Sequence, residues 1–413
     1  MRILIVTQYF WPETFRINDV VHGLRELGHE VSVLTGMPNY PEGRFFDGYG
    51  FMGPAREDYG GIPVCRVPLL PRGSGGGVRL ALNYLSFVVS ASLLGPLRLR
   101  QKFDAILVYE PSPVTVMLPA ILLRRLRGVP VLFWVQDLWP ESLSATGMVK
   151  ANWILKLVER MVRFIYRRSD RILIQSQAFE AQVLQLGGQP DRIVYLPNSA
   201  ETFYRPVEPE TAAAERALMP EGFRVVFAGN IGAAQSFGTI IEAATILRDT
   251  PEIQWVVLGD GRMREWAEAE IESRGLKGSV HFLGRFPPET MPRFFALADA
   301  LLVTLRRDPV FAMTVPSKLQ SYLACGRPIV AALDGEGARV LDEAGAGLTC
   351  PADDPRALAD AVLSLYRMPE PERRRMGERG RSYFEAQFER GILLHRLERC
   401  IQDTIKENTQ CAS

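Results

Sequence analysis

Charge of one sign is missing from this chain. The 48 Lys and Arg residues are matched by 47 Asp and Glu over 413 residues, so there is no molecule-wide positive field of the kind that draws proteins onto nucleic acid. Any polyanion site must be local. Cysteine is scarce and unpatterned: Cys65, Cys325, Cys350, Cys400 and Cys411 are odd in number and form no Cys-x-x-Cys pair. That excludes a disulfide framework and fits the reduced thiols of a cytosolic protein. The four histidines, His22, His29, His281 and His395, are dispersed, and no zinc site can be assembled from them. Internal repeats and low-complexity tracts are absent. The opening MRILIVTQYF holds only a short apolar run before proline and charge, which predicts a first strand and not a signal peptide. No Gly-x-Gly-x-x-Gly follows that strand; QYFWPE stands there, so a dinucleotide-binding fold is disfavoured.

The length exceeds what one ordinary core fills, and two domains of roughly 200 residues are expected. Ile3–Thr7 is a β-branched run, an amphipathic helical pattern over 18–27 stops at Gly28, and a strand resumes at Val31–Leu34. The same order returns through Ala105–Tyr109, a helix over 114–126 and Val131–Val135, with Ile172–Gln175 and Ile193–Leu196 as later strands. Such alternation predicts a parallel sheet wound with helices. Beyond LPNSAETFYRP (196–206) the architecture restarts: Phe223–Ala228, Trp255–Leu258, Val280–Leu283, Ala300–Thr304, Ile329–Ala332 and Gly347–Thr349 are strands, and helical sequence broken at Pro369 and Pro371 ends the chain. The expected division is 1–200, an N-terminal Rossmann-like domain; 201–384, a second; and 385–413, a helical segment returning to the first. Ligands of doubly wound sheets bind outside the carboxyl ends of the strands, so the active site is expected between the domains.

Several residues stand at such strand ends. Gly229, Asn230, Gly232 and Gln235 follow one strand, and Gly259, Asp260, Gly261 and Arg262 follow the next. Glycine lets backbone approach a phosphate, and a helix N-terminus supplies free N–H groups; ordinary strand-to-helix turns are the alternative. In TVPSKLQSYLACGRPIVAA (314–332), Ser317 and Lys318 open a helix. A hydroxyl and an ammonium there form a compact anion receptor, although Ser317 also suits a plain helix start. Helix N-termini prefer acids, so the lysine favours function. Gln136 and Asp137 end the wholly apolar VLFWV strand and are expected at the site, with a helix cap as the other reading of Asp137; Glu13 is a second acidic candidate.

With QYFWPE, LRELGHEVSVLT, PNSAETFYRP, GNIGAAQ, GDGR, FLGR, PSKLQSYLACGRPIV and AGAGLTCPADDP together, the chain resembles the retaining glycosyltransferases of the GT-B fold, group 1 or family 4, over nearly its whole length. VQDLWPESL and DGEGARV are most similar to bacterial O-antigen and capsule transferases, including those for amino-deoxy sugars such as fucosamine. The resemblance implies an acceptor-binding first domain and a donor-binding second. Lys318, Ser317 and Arg262 would then face the diphosphate, Gly229, Asn230, Gly232 and Gln235 its sugar end, with Gly259 and Gly261 in the neighbouring turn and Arg285 near the base. Asp137, Gln136 and Glu13 would orient the acceptor hydroxyl or the transferred sugar. It implies retention at the anomeric carbon, with the leaving phosphate oxygen helping to deprotonate the acceptor. The donor is expected to be UDP-linked, and no cofactor is expected. No Asp-x-Asp occurs, so metal independence is expected too. One departure stands out: the family's two glutamates eight positions apart are replaced by Met313 and Ser321. Glu336 is offered as a substitute for the lost ribose contact, with a solvated loop acid as the alternative.

Residues 80–97, LALNYLSFVVSASLLGPL, carry no charge and are flanked by Arg72, Arg79, Arg98, Arg100 and Lys102. A helix lying in a membrane interface fits better than a span, and a buried helix of the first domain is the other possibility. Lys156, Arg160, Arg163 and Arg167 add a basic helical face. Peripheral association with the inner face of the cytoplasmic membrane, where a polyprenyl-diphosphate-linked saccharide is presented, is therefore expected. The competing readings are a nucleotide-sugar epimerase or hydrolase on the same fold, and a catalytically inactive partner subunit.

Overall fold

The computed structural model describes residues 1–73, 76–145, 149 and 151–412, except for the side chains of 145, 411 and 412. Cys411 is therefore outside the described side chains; the other four cysteines are free thiols. The chain forms two compact units, one of residues 1–197 with 393–413 and one of residues 198–392.

The first unit is built on an eight-stranded sheet. Its strands are β1 (Arg2–Val6), β2 (Glu30–Gly36), β3 (Arg56–Asp58), β4 (Pro63–Val67), β5 (Ala105–Glu110), β6 (Val131–Val135), β7 (Arg171–Ile174) and β8 (Ile193–Tyr195), in the order β3-β4-β2-β1-β5-β6-β7-β8. All neighbours are parallel except β3 and β4. β1, β5 and β6 are apolar along their length because helices cover both faces of a parallel sheet. The edge hairpin β3–β4 gives no such signal: RED is polar, and PVCRV opens on proline. It is fixed by Arg66, whose buried guanidinium pairs with Glu57 and donates to the carbonyl oxygens of Gly36 and Trp11.

The helix Ile17–Glu26 is crossed by the closing helix Arg390–Ala412 at Gly23, where a Cβ would sit 2.3 Å from Leu394. Leu393, Leu397 and Ile401 of the closing helix join Ile3, Ile5, Leu107 and Trp134 in one core. The helix Gly77–Arg98 packs by Leu80, Tyr84, Phe87 and Ala91.

The second unit has a six-stranded, wholly parallel sheet: β9 (Phe223–Ala228), β10 (Ile253–Leu258), β11 (Val280–Gly284), β12 (Ala300–Thr304), β13 (Ile329–Ala332) and β14 (Gly347–Cys350), ordered β11-β10-β9-β12-β13-β14. Chain order reverses between β1 and β5 in the first sheet and between β9 and β12 in the second. Each unit thus has one crevice at the carboxyl ends of its strands where a ligand fits.

Truncating a core leucine removes buried methyls and leaves a cavity, at a cost of ~2–5 kcal/mol. Leu397→Ala is expected to cost the first unit that much in urea unfolding.

Candidate functional site

At the crevice of the second unit, three successive turns lie side by side. Gly229 N donates to Leu258 O at 2.8 Å, Gly259 N to Gly284 O at 2.7 Å, Ile231 N to Asp260 O at 2.9 Å, and Met263 N to Ile231 O at 3.0 Å. Gly229 and Gly259 have φ of +138° and +144°, a conformation L side chains rarely adopt. A Cβ on Gly259 would lie 1.9 Å from Gly229 O, and one on Gly229 would lie 2.5 Å from Lys318 Cε. The glycines predicted to let a ligand approach also let the turns approach one another.

Lys318 enters from the helix Ser317–Cys325, held to the end of β9 by Tyr322, whose hydroxyl accepts from Ala228 N at 2.9 Å. The lysine as a residue is partly exposed, but its Nζ is shut off from solvent and has no hydrogen-bond partner. It lies over the Phe227 ring, 3.6 Å from Nζ to centroid. Burial pulls the ammonium down to about 7, because taking a charge out of water favours its neutral form. Beside it, Gln235 Oε1 is also buried without a partner, and Gln235 O accepts from Thr304 Oγ1 at the end of β12 at 2.5 Å.

Of the other expected residues, Asn230, Arg262, Arg285 and Ser317 are exposed, Gly232 and Gly261 partly so. Arg285 lies 3.9 Å from Asp260. Glu336 is buried, and both its oxygens meet Arg339 at 2.8 Å, a partner the sequence did not suggest. Ser321 Oγ returns to Ser317 O at 3.3 Å.

In the first unit, the crevice is acidic. Asp137 accepts from the Ser142 hydroxyl and is raised from the ordinary carboxylate range by burial. Gln136 N donates to Glu110 O at 3.2 Å, joining the ends of β6 and β5. Glu110 was missed by the sequence analysis. It is fully buried, and burial together with the Asp137 charge pushes it well above the ordinary carboxylate range. The signal was there: Glu110 ends the apolar AILVY run just as Asp137 follows VLFWV.

Glu13 accepts from Phe10 N at 3.1 Å and from Asn39 N and Tyr40 N at 2.8 Å. Burial raises it to about 7 against the pull of those amides. That geometry ties the loop after β1 to the loop after β2. Among the described residues, no group of three His, Cys, Asp or Glu side chains gathers as a metal site.

A diphosphate docked at Lys318 would favour the ammonium and raise its pKa. Binding therefore takes up a proton where Lys318 is neutral in the free protein, and affinity falls as pH rises above about 7. Calorimetry with a UDP-sugar in buffers of different ionisation enthalpy is expected to show uptake approaching one proton at pH 8–8.5. The uptake should vanish in Lys318→Met, with affinity at least tenfold weaker. No proton uptake by the wild type would remove Lys318 from the phosphate site.

The Glycosyl transferase 4-like domain family matches residues 14–199, and the family Glycosyl transferases group 1 matches residues 210–383. The chain is similar to the probable glycosyltransferase WbjE of Pseudomonas aeruginosa, 27% identical over 80% of this chain and 81% of that one. It is also similar to the putative colanic acid biosynthesis glycosyl transferase WcaI of Escherichia coli K12, 26% identical over 79% and 82%. Among solved structures, Anabaena HepE in complex with UDP superposes with a TM-score of 0.73 at 15% identity, covering 98% of this chain and all of the other. WaaG, a glycosyltransferase of lipopolysaccharide biosynthesis, gives 0.65 at 15% identity over 97% and 99%. Two Rossmann-like units of this kind are the GT-B fold, and with a 4-like domain followed by a group 1 domain along its length, the chain belongs to the group 1 glycosyltransferases.

Proposed function

We propose that this glycosyltransferase moves an N-acetylated amino or deoxyamino sugar from a UDP-linked donor to a lipid-linked saccharide, with retention and without a metal ion, in the assembly of a surface polysaccharide. The observation that carries the donor half is the solvent-shielded, unpartnered Nζ of Lys318 against the glycine turns. A diphosphate is the ligand whose charge that position accommodates. The names of WbjE and WcaI, and the UDP bound in HepE, support the donor class and the polysaccharide setting.

In the proposed reaction, the bond from the anomeric carbon to the UDP oxygen breaks and a bond to the acceptor oxygen forms on the same face. The acceptor proton passes to the departing phosphate. Lys318 stabilises the charge on that phosphate as it develops, and preorganised donors aimed at developing charge are the largest single contribution in such sites. Asp137 and Gln136 orient the acceptor hydroxyl or the transferred sugar.

The helix Gly77–Arg98 leaves Val78, Leu82, Leu85, Val89, Leu93 and Leu97 exposed along one stripe. Trp153, Leu157 and Phe164 are exposed on the basic helix Asn152–Arg168. Large apolar side chains in a row beside arginines suit an interface with anionic lipid, and this supports peripheral attachment to the inner face of the cytoplasmic membrane.

A thermal-shift panel of UDP-, GDP- and dTDP-sugars is expected to raise the melting temperature with UDP-N-acetylhexosamines most, since a ligand of the folded state stabilises it according to affinity and concentration. NMR of the product should show the donor's anomeric configuration kept, with turnover unchanged by EDTA. Interconversion of the free nucleotide sugar without an acceptor would overturn the transferase reading. Vesicles containing phosphatidylglycerol should carry the wild type upward on flotation, and Leu82→Glu/Leu85→Glu should remain at the bottom.

A further inference from the structure

Arg72 is used by neither the donor site nor the acid pair. Its guanidinium carbon lies 5.7 Å from the centroid of the Tyr9 ring and 5.0 Å from that of Tyr40, and its Nη1 is 3.3 Å from the Tyr9 hydroxyl. Tyr9 follows β1 and Tyr40 follows β2, so the arginine stands over the crevice loops of the first unit. Its backbone N donates to Asn39 Oδ1 at 3.0 Å, and the loop before it is bound to the helix Gly77–Arg98 by Leu70 N to Ser86 Oγ at 2.9 Å and Asn83 Nδ2 to Leu70 O at 2.5 Å. Among the described residues no carboxylate pairs with Arg72. Aromatic faces hold a guanidinium by its plane and leave the N–H edge free for a bidentate anion.

A second guanidinium lies close by. At Gly73, whose φ is +62°, a Cβ would be 2.5 Å from Arg79 Nε, so Arg79 folds back over the residue next to Arg72. Arg79 also sits three positions before Leu82, at the head of the exposed apolar stripe. From Val78 to Leu97 that stripe runs for about 28 Å at 1.5 Å per residue. The same helix buries Asn83 and Tyr84 toward the crevice. One helix therefore carries polar contacts to the site on one face and an uncovered apolar track on the other, with the two arginines where they meet.

We propose that Arg72 and Arg79 seat the diphosphate of a prenyl-linked acceptor whose hydrocarbon chain lies along the Val78–Leu97 stripe. This rests on the lipid-linked acceptor reading above. Arg72 is partly buried against two rings that also touch each other, which suits one diphosphate entering the crevice loops better than the flat headgroup layer of a bilayer. The fork of Arg72 recognises the anion and the stripe recognises the chain, so neither inorganic diphosphate nor a prenyl alcohol supplies both contacts.

Farnesyl diphosphate is the probe, titrated into the full-length protein with UDP saturating so that Lys318 is occupied. The wild type is expected to bind it at least tenfold more tightly than farnesol or inorganic diphosphate. Arg72→Gln should weaken binding at least tenfold and Arg79→Gln severalfold, while Lys318→Ala, titrated without UDP, retains it. Arg72→Lys keeps the charge but loses the planar fork; its affinity should fall between wild type and Arg72→Gln, and circular dichroism with unchanged melting shows that the variants fold. Unaltered binding by Arg72→Gln, or equal affinity for inorganic diphosphate, overturns the subsite and leaves the acceptor class standing. A wild type blind to farnesyl diphosphate overturns both, and absence of a UDP thermal shift counts against the donor reading alone.

Discussion

An ammonium shut away from water with no counter-charge is unstable, and the second unit is arranged around one. Desolvation is why Lys318 sits near 7 in the free protein; the ring of Phe227 is its sole compensation among the described residues, and a neutral aromatic face recovers only a fraction of a lost hydration shell. Tyr322 fixes the lysine's helix to β9, and Gly229 and Gly259 must lack side chains or the turns would not close around it. A dianionic phosphate ester resolves the imbalance. In the proposed donor site, binding energy and the electrostatic help given to a departing diphosphate come from one source, a lysine whose hydration was given up when the chain folded.

The first unit sets the opposite problem at the corresponding place in its sheet. Glu110 and Asp137 close adjacent parallel strands, and two carboxyls so near in a buried crevice do not both ionise. The structure decides which one carries the charge. Asp137 accepts from the Ser142 hydroxyl, whereas Glu110 is the more deeply buried of the two and is pushed well up. Both carboxyls are raised by burial, Glu110 well above the ordinary range, which favours leaving the pair's negative charge on Asp137, the less buried of the two.

The strands were legible because parallel sheets covered on both faces are written as apolar runs; β1, β5, β6, β9, β10, β12 and β13 all read this way. The β3–β4 hairpin was not, because its stability comes from Arg66 and Glu57 meeting across the edge, a pairing with no local signature. The same contrast holds at the site. Lys318 was recognisable as a cation at a helix end that ordinarily favours acids. Glu13 looked equally promising, yet its carboxylate accepts three backbone amides from two loops, and such bonds are invisible until the loops are folded. Glu110 follows AILVY as Asp137 follows VLFWV and Gln136, so the rule that identified Asp137 covers it as well.

The missing glutamate pair bears on how the donor is gripped. Met313 and Ser321 stand where the acids are expected, and Ser321 is occupied with Ser317 O. Glu336 lies on a turn pressed against the same segment: a Cβ on Gly335 would be 2.1 Å from Ala312 O. Its carboxylate is therefore brought to the neighbourhood of the lost acid from a different element, but Arg339 already holds both oxygens. A carboxylate so held is fixed in orientation and keeps lone pairs for accepting a hydroxyl, while Arg339 offsets the charge that would otherwise oppose the diphosphate. Replacement of the expected acid pair by Met313 and Ser321 removes two negative charges from the donor side. In the proposed donor site, Lys318 then meets the phosphate without those two carboxylates opposing it.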